Sequence, residues 1–164
     1  MPESNTRYYT RDTGEALYRR SLYTFWKRAA PPATMDIFNA PSREVCAVRR
    51  ERTNTPLQAL VLMNEPQNVE AARHLAQRAL KEKDVAAAMF RRAAGRPASA
   101  KDLDDLRAAY AAFKEAYAKD VEAAKKLIAV GDLKPDASLD PAELASWTMV
   151  GQVILNLDRV LCKE

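Results

Sequence analysis

Glycine is scarce in this chain, with four in 164 residues. Alanine, leucine, lysine, arginine and glutamate are abundant, so inexpensive helix formers outweigh the residues that favour strands, and an α-rich class follows. Histidine is scarcer still: His74 stands alone, and any histidine-dependent catalysis would have to use it. The two cysteines, Cys46 and Cys162, match no CxxC, CxxCH or zinc-finger spacing. Neither a haem attachment nor a structural zinc site is encoded, and the pair could form a disulfide only if folding brought it together. No apolar run approaches the roughly 20 residues that cross a bilayer, and the start MPESNTRYYT lacks the apolar core of a signal peptide. No membrane span is expected, and no cofactor within this chain.

Hydrophobic residues at 48% and charged residues at 29% describe a chain that folds, long enough to bury a core. The net charge of +4 is unevenly spread. Residues 1 to 52 hold 10 Lys or Arg against 6 Asp or Glu, and residues 53 to 164 hold 16 of each. Nine of those ten cations are arginine, and seven of the twelve aromatics precede residue 39. This Arg/aromatic segment differs chemically from the rest.

Residues 1–14 carry no clear period and read as a loose N-terminal segment; 15–164 read as a single α-rich domain. Within 19–28, RRSLYTFWKR suits a short strand, although Tyr18, Leu22 and Phe25 also fall at helical spacing. Prolines 31, 32 and 41 make the next stretch extended, and 44–49 is a second strand candidate, so a short β-ribbon is one option. Thr55–Pro56 starts a helix whose LQALVLM run is apolar on nearly every side and should lie inside. Further starts fall at 64–66, Asp84, Ser99 and Asp140, and Gly95 is a stop. The set Leu103, Leu106, Tyr110, Phe113, Tyr117, Val121, Ala124 and Ile128 predicts one helix of about 30 residues before Gly131. The expected fold is a mainly α helical bundle built on that long helix, with an extended N-terminal Arg/aromatic segment.

Catalytic residues do not stand out. His74 points away from its helix's apolar stripe, between Glu70 and Arg78, and reads as a solvated surface histidine. Asp84, Asp102 and Asp140 have helix-start explanations. The cluster SREVCAVRRERTNTP gathers Arg43, Arg49, Arg50 and Arg52 around Glu44 and Glu51. Guanidinium groups grip carboxylate or phosphate in a two-bond fork, which makes an anion site one reading; salt bridges that fasten the loop to the helical body are the other. Arginine interleaved with Tyr23 and Trp26 also fits the stacking chemistry of single-stranded nucleic-acid binders, but no recognised nucleic-acid motif accompanies it. Anion or partner binding is therefore assigned to Arg43, Arg49, Arg50, Arg52, Tyr23 and Trp26, and no residue to catalysis or to a metal.

The words LYRRSLYTFWKR, FNAPSREVCAVRRERTNTPLQALVLMNEP, FRRAAGRP and LASWTMVGQVILNLDRVL together resemble the C-terminal part of the planctomycete PSD domain, a family of unknown function. The resemblance runs from about residue 15 to the end. It departs from the family pattern at Asn39 and Arg159, where acidic residues are usual. Family members are long exported proteins in which this domain follows a cytochrome-type module. The resemblance thus implies a fragment or truncated relative, periplasmic or at the cell surface, with haem only in the companion module. The function expected is a non-enzymatic interaction or structural module of such a protein. Its partner would be a missing upstream domain or another exported protein, or the chain would self-associate. An accessory part of a redox or polysaccharide-processing enzyme is the alternative, and a weak nucleic-acid or anion binder the third.

Overall fold

A computed structural model describes residues 8–27, 29–49, 51 and 53–161. By internal contacts the chain divides into two compact units, Met1–Val61 and Leu62–Glu164.

The first unit is mostly irregular. It contains 3₁₀ turns at Gly14–Tyr18 and Ser21–Tyr23, helix α1 at Ala33–Ile37 and most of helix α2 at Pro56–Asn64. Neither strand candidate forms among the described residues: Lys27 and Ala30 make an isolated bridge, and residues 44–49 are bends and irregular chain. A short apolar segment becomes a strand only where a neighbouring edge takes its backbone bonds, and none is offered among the described residues. At Thr55 the start of α2 is a reciprocal cap. The Thr55 N–H donates to Gln58 Oε1 at 3.1 Å, and the Gln58 N–H donates to Thr55 Oγ1 at 3.3 Å. Gln58 Nε2 then donates to the Ile37 carbonyl at 2.9 Å and to Thr53 Oγ1 at 2.7 Å. This anchoring reverses the expected burial of α2. Gln58 is the buried residue, while Leu57, Leu60 and Met63 are exposed.

The second unit is a helical bundle. It comprises α3 (Pro66–Ala79), α4 (Val85–Ala94), α5 (Ala100–Lys119), α6 (Val121–Ile128), α7 (Pro141–Leu155) and α8 (Asp158–Leu161). The starts of α4, α5 and α7 are set by local chemistry. Asp84 accepts from the Ala87 N–H, Ser99 forms a capping box with Asp102, and Asp140 accepts from the Glu143 N–H ahead of Pro141. Gly95 ends α4 in the left-handed region at φ 70.

The expected long helix is two helices. Asp120 breaks it by leaving helical geometry (φ −135, ψ 81) and accepting the Ala123 N–H at 2.9 Å, the geometry of an N-cap. The break leaves Val121 exposed while Ala124 and Ile128 stay buried. Helix α7 is the hub, packing on α3, α5 and α6 and less extensively on α4 and α8. Gly151 permits the close approach of α3: a Cβ there would lie 3.0 Å from the Ala72 carbonyl oxygen and 3.1 Å from Met89 Cε. Trp147 on α7 stacks on Tyr110 of α5, with ring centroids 4.0 Å apart and planes 15° from parallel. No helix among the described residues is long and apolar enough to cross a membrane.

Candidate functional site

The first unit brings part of the Arg/aromatic cluster together. Trp26 follows the Ser21–Tyr23 turn, and Arg43 lies on the loop after α1. That loop reverses at Asn39 (φ 51) and at Arg43 itself (φ 65), both in the left-handed region that is costly for residues other than glycine. Asn39 holds its conformation with an Nδ2 bond to Thr53 Oγ1 at 2.8 Å. The result is a cation–π pair, with the Arg43 guanidinium carbon 5.4 Å from the centre of a Trp26 ring. Arg43 Nη2 also reaches the Ser21 carbonyl at 3.5 Å, a long contact.

Two open grooves share this pair. One, of about 550 Å³, is walled by Leu22, Met35, Phe38 and Pro41 together with Trp26 and Arg43. The other, of about 510 Å³, is more polar and adds Tyr23, Ser42 and Glu44. Leu22, Tyr23 and Phe25 are 70%, 68% and 69% exposed. Tyr23, Trp26 and Arg43 therefore converge, whereas Arg49 is exposed and lines neither groove. Arg50, Arg52 and Cys162 lie outside the described residues, so the pairing of Cys46 with Cys162 does too.

The second unit holds a polar cluster that periodicity does not reveal. Glu70 and Arg73 on α3 are 2% and 0% exposed. Glu70 accepts the N–H groups of Asp132 and Leu133 at 3.1 and 3.0 Å, and Arg73 Nη2 donates to the Leu133 carbonyl at 2.6 Å. The two charges lie 3.7 Å apart. Gly131 makes the grip possible. Its φ of 104 suits glycine, and an added Cβ would collide with the Glu70 carboxylate, 2.6 Å from Cδ.

His74, one turn on, is not the solvated histidine its helix position suggests. Its side chain is 36% exposed, and its Nε2 is buried 3.8 Å from Glu70 Oε1, without a hydrogen-bond partner. Burial is the main cause holding its pKa below the usual imidazole value; Arg73 adds to the shift, Glu70 opposes it, and Arg78 contributes least. A Glu–Arg pair three residues apart reads as surface decoration, and only the fold puts a loop over it. On α8, Arg159 pairs with Asp102 at 3.0 Å and lies over Phe90. Together with Ser99, that arginine holds the Asp102 carboxyl below its usual pKa range, the Ser99 hydrogen bonds contributing most.

Residues 1–110 match the family described as PSD1, Protein of unknown function (DUF1553). The chain belongs to the PSD1 family. The match starts ahead of the expected residue 15 and stops at Tyr110, so the closing motif on α7 lies outside it. It contains the whole Arg/aromatic segment, α3 and α4. No curated protein and no solved structure shows a match to the chain.

Proposed function

We propose that this PSD1 chain is a non-enzymatic interaction or structural module that docks its Arg/aromatic segment against another domain or protein. The observation that supports this reading most is the distribution of burial. Apart from Pro32, every aliphatic or aromatic side chain that is buried among the described residues belongs to the Leu62–Glu164 unit. The first unit instead exposes Tyr18, Leu22, Tyr23 and Phe25 together with Leu57 and Leu60. Exposed apolar side chains in such number are a feature of interaction sites. The setting we propose, from the family resemblance, is an exported, cytochrome-associated multidomain protein, periplasmic or at the cell surface.

Hydrogen exchange and sedimentation test the reading together. Residues 8–49 should exchange quickly while α3, α5 and α7 stay protected, and the chain should self-associate with rising concentration. Leu22→Ser with Phe25→Ser should abolish that association without lowering the melting temperature. Uniform protection of both units in a strictly monomeric sample would refute the docking role.

A further inference from the structure

Arg43 meets an aromatic face rather than a carboxylate, unlike four arginines of the helical bundle. Arg91, Arg92, Arg107 and Arg159 each pair with a carboxylate. Arg43 has no carboxylate partner among the described residues; its contacts are the Trp26 face and the distant Ser21 carbonyl. The side chain is exposed, and its backbone is held at φ 65. Strain at a residue other than glycine persists only where the surroundings enforce it, and such positions concentrate at binding sites. Stacking on an aromatic face orients the planar guanidinium, so less freedom is lost when its edge is used. Beside that edge lies the groove walled by Leu22, Met35, Phe38 and Pro41. The surrounding unit carries the chain's whole surplus of positive charge, 10 Lys or Arg against 6 Asp or Glu.

We infer that the Trp26–Arg43 pair binds an acidic, apolar peptide segment of a protein partner. An aspartate or glutamate carboxylate takes the guanidinium edge in a two-bond fork, and an adjoining apolar side chain enters the groove between Leu22, Met35 and Phe38. This rests on the docking reading and adds the chemistry of the occupant. A nucleic acid fits less well. Sequence-tolerant strand binding uses a row of stacking platforms along a charged track, whereas here one aromatic–arginine pair opens onto an apolar groove, with Arg49 outside it.

The test uses the full chain and fluorescence anisotropy with three labelled probes. These are an acetylated, amidated octapeptide of alternating glutamate and leucine, its twin with every glutamate replaced by glutamine, and a twelve-residue oligothymidylate. The acidic peptide should bind about tenfold more tightly than its twin, the ratio one charged contact supplies. Arg43→Gln should erase that preference, Arg43→Lys should retain part of it, and Arg49→Gln should leave it unchanged. Equal binding of both peptides, lost in Trp26→Ala, would overturn the acidic specificity while leaving the docking reading intact. Oligothymidylate binding stronger than either peptide and lost in Arg43→Gln would overturn the peptide in favour of a nucleic acid. Binding of neither peptide also overturns the inference, and the docking reading is then decided by its own exchange and sedimentation measurements.

Discussion

Replacing Glu70 by alanine should be among the most damaging single changes to the helical bundle. The carboxylate is buried, accepts two backbone N–H groups from the 131–133 loop and lies 3.7 Å from Arg73. At that separation the ion pair is a loose charge contact, so the amide bonds carry much of the effect. A hydrogen bond to a charged group contributes roughly 1.5–3 kcal/mol, and removing one partner of a buried pair costs about 3–5 kcal/mol. These costs overlap because the same oxygens serve both, so a total of about 4 kcal/mol is expected. For a unit of about 100 residues that lowers the melting temperature by roughly 15–30 °C. Arg73→Met should cost a similar amount by removing the opposite charge 3.7 Å from the buried Glu70 carboxylate. The double variant Glu70→Gln, Arg73→Met should lose clearly less than the sum of the two single changes. Thermal melts followed by circular dichroism at pH 7 provide the measurement. Single variants that each lose under about 1 kcal/mol, with an additive double variant, would refute the claim that this pair fastens the loop.

Three further outcomes can be checked on the same unit. Because burial depresses the His74 pKa, the unfolded chain binds that proton more readily. Stability should therefore fall as pH drops below the unfolded value near 6.5, continuing until the folded value is passed, and His74→Gln should flatten that slope in urea melts between pH 7 and 5. Leu106→Asp places a carboxylate at a position 6% exposed, which should cost about 4 kcal/mol or more; an unchanged melt would show that this face of α5 is not buried. Gly131→Ala combines a disfavoured φ of 104 with a collision at Glu70, so a loss of about 2–4 kcal/mol and faster exchange at the 132 and 133 amides should follow.

The sequence by itself determined what depends on neighbours along the chain. Asp84, Ser99, Gly95 and Asp140 start or stop helices through bonds to backbone groups three or four residues away, so those boundaries were legible. The stripe on α3 was legible for the same reason, as was the concentration of arginine and aromatics that supplied Tyr23, Trp26 and Arg43. What tertiary structure decided involves partners far apart. Asp120 can sit within a helix or cap a new one, and packing of α6 on α7 accompanies the break. The apolar run of α2 implied burial, but Gln58 is tied to a carbonyl 21 residues earlier, and Leu57 and Leu60 are exposed. Glu70 and Arg73, which the sequence did not single out as a pair, are covered by the 131–133 loop, some 60 residues away. The free edge of Arg43 arises likewise from a turn that stacks it on Trp26 rather than from any spacing between them. Local hydrogen bonds are fixed by residue type, whereas which charged groups are buried depends on which distant segment arrives to cover them.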